Sequence, residues 1–188
     1  MKTFAYCTAT QRAAVARAAG VEPLTAPPMH FEQFSPGLLA GQDLLYFALH
    51  GLPDQPYWYG DDYLTAMSTD AFLHLDLSRT VVFVACCHFT AGPFLPAIQA
   101  CHPRALIAGN GENYARTETL VGANLLGYFL RRALAAHVPP HLALASARYR
   151  LFLHTNRLRA NTNDRPLDAR TNQDIAANTD ALQFEVIA

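Results

Sequence analysis

Two uninterrupted apolar runs constrain this chain more than any other feature. Leu44-Leu45-Tyr46-Phe47-Ala48-Leu49 and Val81-Val82-Phe83-Val84-Ala85 contain no charged residue, and the Tyr46 phenol is their only polar side-chain group. A strand with one face in water alternates apolar and polar side chains, whereas a strand that is apolar throughout must be covered on both faces. Both runs have strand length. They predict two strands of a parallel sheet buried between two other layers.

The remaining segments supply such layers. Residues 3–7, 21–25 and 105–108 read as further strands, and 182–187 alternates like an edge strand. Thr8 or Thr10 can cap a helix running to Ala19, which Gly20 is placed to end. Pro93 suits the first turn of a short helix over 93–100. In 117–136, Leu120, Ala123, Leu126, Leu130 and Leu134 recur at helical spacing. Pro139-Pro140 separates that helix from a second over 141–158. Pro36-Gly37 opposes a long helix in 31–39, and Ser68 or Thr69 can cap a short one through Leu73. Residues 51–62 read as an exposed loop, and 159–180, poor in apolar side chains, as a surface excursion. Strands alternating with helices predict α/β class: a three-layer α/β/α sandwich with a mainly parallel central sheet, formed by residues 1–188 as one domain.

Composition narrows the function classes. A chain of 188 residues, 51% hydrophobic and 15% charged, has the material for a real core and argues against disorder. The net charge of -1, with no basic block, leaves no electrostatic footprint for nucleic acid. No apolar run reaches the roughly 18 residues that mark a membrane span, and the N-terminal residues lack the apolar core of a signal peptide. Cys7, Cys86, Cys87 and Cys101 form neither a Cys-x-x-Cys pair nor a secreted-domain framework, so free thiols in a reducing, cytoplasmic setting are expected. Their spacing also matches no finger or ribbon, and neither metal nor cofactor is expected.

The strand ends carry the chemistry. The first run leads into His50-Gly51, the second into Cys86, and the third into Gly109-Asn110-Gly111. Ligands of open α/β sheets bind outside the carboxyl ends of the strands. A thiol attacks as thiolate, and an adjacent imidazole can take its proton and later return one to a leaving amine. Taken singly, a cysteine in an apolar run is more often a small core residue than a nucleophile.

These segments resemble a known family. Tyr46-Phe47-Ala48-Leu49-His50-Gly51 and Val81-Val82-Phe83-Val84-Ala85-Cys86 are similar to the His-Gly and Ala-Cys strand ends of caspase-like cysteine peptidases, with the CHAT branch, related to separase, as the nearest likeness. Residues 65–77 resemble the short helix and "LxL" stretch before the cysteine strand, and 104–109 the strand after it. Ala143-Leu144-Ala145-Ser146-Ala147-Arg148 resembles an "AL..A" helix, and 181–187 the closing strand. The likeness covers residues 40–187.

The resemblance implies a cysteine endopeptidase that works through a thioester acyl-enzyme. Cys86 would be the nucleophile and His50 the catalytic imidazole, with the Gly51 and Cys86 amides in the oxyanion site. Its partners would be a protein or peptide substrate and a separate regulatory protein. Asp54, Gly109, Asn110 and Glu112 are the candidate substrate-binding residues, and an acid among them would select Arg or Lys. Val84 stands where some caspase-like relatives place such an acid. Cys87 follows the assigned nucleophile, where these peptidases more often have a charged or polar residue. Cys87-His88 also resembles the Cys-His of amidotransferase-like hydrolases, so a small-molecule amidohydrolase using Cys87 stays open, as does a catalytically idle binding module. Gln99-Ala100-Cys101 repeats the letters of the caspase cysteine motif, but within a predicted helix rather than after a central strand.

Overall fold

The computed structural model describes residues 1–109, 111–113, 116–160 and 168–187. Strands β1 (Thr3–Thr8), β2 (Leu24–Ala26), β3 (Leu44–Ala48), β7 (Val81–Val84), β8 (Ala105–Ala108) and β9 (Glu185–Ile187) form one sheet in the order β2-β1-β3-β7-β8-β9. All neighbours pair in parallel except β9, which runs antiparallel to β8 at the edge. Strands β4 (His50–Gly51), β5 (Tyr57–Tyr59) and β6 (Thr65–Ser68) form a separate antiparallel sheet. The two apolar runs are the central pair: Leu44, Leu45, Tyr46 and Phe47 lie opposite Val81, Val82, Phe83 and Val84.

The strand period of two divides their side chains between two cores. Tyr46 and Phe83 face helices α1 (Arg12–Ala19), α3 (Ala123–Ala135), α4 (Pro140–Ala160) and α5 (Ala169–Ala181). Leu45, Phe47, Val82 and Val84 face α2 (Phe94–Gln99), the small sheet and short 3₁₀ turns. Trp58 anchors that second core, stacked on Phe94 with ring centroids 3.9 Å apart. The result is a mixed, mostly parallel α/β sheet covered on both faces, as the sequence requires.

Helix ends follow local chemistry. Gly20 ends α1 in the left-handed conformation at φ 70°, and its N–H donates to the Ala16 carbonyl. Asp168 caps α5 by accepting the Thr171 N–H at 2.7 Å. Helix α3 begins at Ala123 rather than 117, after Gly122 at φ 57°.

Two sequence expectations are corrected. Residues 51–62 are not simply an exposed loop, because Tyr57–Tyr59 pairs with Thr65–Ser68 and buries Trp58. Residues 159–180 are not only a surface excursion, because Ala169–Ala181 is helix α5. Ala177, Asn178 and Ala181 are its buried contacts, and such small side chains leave little apolar signal to read. No helix among the described residues is long and apolar enough to cross a membrane.

Candidate functional site

Strands β3 and β7 end side by side, and the chain beyond each tip turns over the sheet edge. Past β7 the ladder continues for one more residue, with the Ala85 N–H donating to the Phe47 carbonyl at 2.8 Å. The alternation continues too. Val82, Val84 and Cys86 all point into the second core, and Cys86 is fully buried there. Its Sγ accepts the Leu49 N–H at 3.4 Å. Burial pushes the Cys86 thiol pKa well up, against the smaller opposing pull of that hydrogen bond.

Cys86 is therefore not a residue of the cleft. A cavity of about 480 Å³ opens at the strand tips, and its lining includes His50, Gly51, Cys87, His88 and Glu112 but not Cys86. The expectation of Cys86 as the accessible thiol is corrected by one residue. Strand periodicity sends Cys86 into the core, and Cys87 is the thiol that meets the opening.

His50 is solvent-exposed, with its ring centroid 6.0 Å from that of Tyr63, another lining residue. Gly51 explains how the two tips approach so closely. A Cβ at Gly51 would fall 2.0 Å from the Cys87 carbonyl oxygen, a space no side chain can share. The backbone contact between Gly51 and Cys87 thus keeps His50 and Cys87 on the walls of one cavity.

Asn113 braces the cysteine pair. Its N–H donates to Cys87 Sγ at 3.2 Å, and its Nδ2 donates to the Cys86 carbonyl at 3.0 Å. The Cys87 S–H in turn lies 3.8 Å from the Asn113 carbonyl oxygen. The Cys87 pKa is raised, chiefly by burial; the Asn113 N–H opposes the shift and the Glu112 carboxylate adds to it. The resting group is accordingly a thiol, which needs a base before it can attack. His88 follows in the left-handed conformation at φ 53°, its N–H donating to the Gly111 carbonyl at 2.8 Å.

The other sequence candidates separate. Glu112 lines the cavity. Asp54 sits in an exposed turn at φ 58° and is not a lining residue. Gly109 is buried, with Phe184 and the Asn113 side chain where a Cβ would stand, so it shapes the floor of the loop rather than the opening. Asn110 lies outside the described residues. Cys101 is buried at the end of α2, its thiol donating to the Phe72 carbonyl at 3.0 Å.

His88, named in the sequence only beside Cys87 in the alternative hydrolase pattern, also lines the opening, as do Tyr63, Gln173 and Asp180, which were not expected there. The last two come from α5, the helix hidden in the polar 159–180 stretch. Asp168-Ala169-Arg170-Thr171, a capping aspartate before a run with few breakers, was the available signal for it. An ion pair between Arg116 and Asp174 fastens that helix beside the opening, and Arg116 Nη2 also donates to the Arg170 carbonyl. Among the described residues, no group of three or more His, Cys, Asp or Glu side chains is placed to hold a metal ion. No family model matches the chain, and no curated protein matches it in sequence.

Proposed function

We propose that the chain is a caspase-like thiol hydrolase that cleaves a protein or peptide substrate, with Cys87 as nucleophile and His50 as its base. One observation carries the reading: Cys87 and His50 line the same open cavity at the ends of adjacent parallel strands, while Cys86 is sealed beneath them. The His50-Gly51 half of the resemblance to caspase-like peptidases supports the reaction class, whereas its Ala-Cys half matched Cys86, which is buried. The burial of Cys86 moves the nucleophile one position along.

In this mechanism the His50 imidazole takes the Cys87 proton as Sγ bonds to the substrate carbonyl carbon. The carbonyl π pair moves onto oxygen, giving a tetrahedral oxyanion. Of the Gly51 and Cys86 amides that the resemblance assigns to the oxyanion site, we take that of Gly51 as the donor, because Gly51 lines the cavity and Cys86 does not. One such amide is worth about 2.7–4 kcal/mol in the transition state. Collapse of the oxyanion breaks the C–N bond, and the imidazolium protonates the leaving amine. Water then attacks the thioester, with His50 accepting its proton. The acid leaves and the thiol is restored. Glu112 and Asp180 give the opening acidic walls that suit a cationic substrate group.

A second reading shares these residues. The cavity of about 480 Å³ also falls within the range of small-molecule sites, which favours an amidohydrolase using Cys87. Profiling on a peptide library and on small amides, with Cys87→Ser, His50→Ala and Cys86→Ala variants, tests both. The peptidase reading expects turnover that rises with peptide length. Loss of Cys87 or His50 should lower it about a thousandfold or more, and loss of Cys86 far less. Turnover that survives Cys87→Ser would overturn the assignment. Turnover confined to small amides would favour the second reading, and binding without turnover an idle module.

A further inference from the structure

Helix α4 is apolar on two opposite sides. Ala143, Leu144, Ala147 and Leu151 are buried in the core. On the outer side, Leu142, Tyr149 and Phe152 are 52%, 63% and 46% exposed, with exposed Ala145 between them. Their positions are i, i+3, i+7 and i+10, the alternating three-and-four spacing of a helix–helix seam. Scattered exposed apolar residues need no explanation, but an aligned row of them marks an interaction surface.

Charge flanks that row. On the helix circumference Arg148 falls to one side of it, and Arg150 and Arg157 to the other. No Asp or Glu stands between Glu118 and Asp164, a stretch with six arginines, although the whole chain carries a net charge of only -1. The row is narrow, two positions per heptad, unlike the broad apolar face of a helix lying on a bilayer. A second copy meeting it seam to seam would set arginines against arginines.

We infer that the outer face of α4 is a docking site for an amphipathic helix of a separate protein, one with an apolar seam flanked by Asp and Glu. Leu142, Ala145, Tyr149 and Phe152 supply the seam, and the arginines select acidic flanks and reject basic ones. The face is distinct from the thiol cavity, so the inference does not rest on the proposed reaction.

The probe is a synthetic heptad-repeat peptide with Leu at its seam positions and Glu beside them, compared with a counterpart carrying Lys in place of Glu. Fluorescence anisotropy with the full chain should show the Glu peptide binding at least about tenfold more tightly than the Lys peptide. Added salt should weaken the complex. The double variant Tyr149→Ser/Phe152→Ser should weaken it at least about tenfold with the thermal midpoint unchanged, since both side chains are exposed. Equal binding of the two peptides, no binding of either, or binding indifferent to the double variant would overturn the inference. So would recruitment to phosphatidylserine vesicles in place of the peptide, or a dimer in solution that the double variant abolishes.

Discussion

Gly51→Ala tests the close packing that assembles the cavity. The added Cβ would stand 2.0 Å from the Cys87 carbonyl oxygen and 3.2 Å from its carbon. Carbon and oxygen in contact normally sit about 3.3–3.6 Å apart, so one segment must retreat by roughly 1.3 Å or more. Neither side can yield by turning a rotamer, because the obstruction is main chain. Overpacking of this kind costs about 1–3 kcal/mol, and backbone on backbone points to the upper end. For a chain of this size, about 3 kcal/mol lowers the thermal midpoint by roughly 6–12 °C.

Gly41→Ala is the control. Gly41 has φ 65° with nothing within 4 Å of an added Cβ, so the substitution introduces conformational strain without collision. That strain is worth about 1 kcal/mol. Urea titrations at a common slope would give both values. The expected order is Gly51→Ala well below Gly41→Ala, which in turn lies below the parent. A Gly51→Ala loss no larger than that of Gly41→Ala would refute the view that backbone contact holds the strand tips together.

Three further outcomes follow from the buried groups. Maleimide labelling of the native protein should modify Cys87 before Cys86 or Cys7, read by peptide mass mapping, and its rate should climb above the ordinary thiol range because burial raises the Cys87 pKa; Cys86 reacting first would contradict the site. Tyr46→Phe should cost about 1–3 kcal/mol by removing the donor to buried Asn124 Oδ1, 2.8 Å away, and adding Asn124→Leu should restore part of the loss in denaturant midpoints. Stability should hold up to the ordinary thiol range and then decline. Burial pushes the Cys7 thiol up to about 12 and the Cys86 thiol also upward, so above about pH 8.5 the unfolded chain releases thiol protons that the folded chain keeps, and the Tyr6 phenol, likewise pushed up by burial, adds to this only above about pH 10. Each group then removes at most about 1.4 kcal/mol per pH unit, and urea midpoints that stay flat from neutral pH to about 10.5 would refute this.

The sheet's centre was legible because it is decided by burial on both faces. Leu44–Ala48 and Val81–Val84 are where the apolar runs place them, and Gly20 ends α1 where its backbone freedom predicts. What escaped were elements stabilised by few large side chains. Helix α5 buries Ala177, Asn178 and Ala181, and β5 is three residues built around Trp58, so neither shows apolar periodicity. Of the residues singled out in the sequence, His50, Gly51, Cys87 and Glu112 line one cavity, and Asp54, Cys86 and Gly109 do not. Choosing between Cys86 and Cys87 required knowing that strand alternation outlasts β7, and a sequence does not mark where a pleat stops. Gln173 and Asp180 reach the cavity only through tertiary docking.

That docking sets an order in time. The strand tips bearing His50 and Cys87 precede α5 in the sequence, and Gln173, Ala176, Ala177 and Asp180 of that helix wall the opening. At synthesis rates of about 5–20 residues per second, several seconds separate the addition of Cys87 from that of Asp180. During that interval the thiol and imidazole exist without the wall that encloses them. The cavity is therefore complete only once α5 has been made and has docked, and any chemistry that depends on its enclosure begins no earlier.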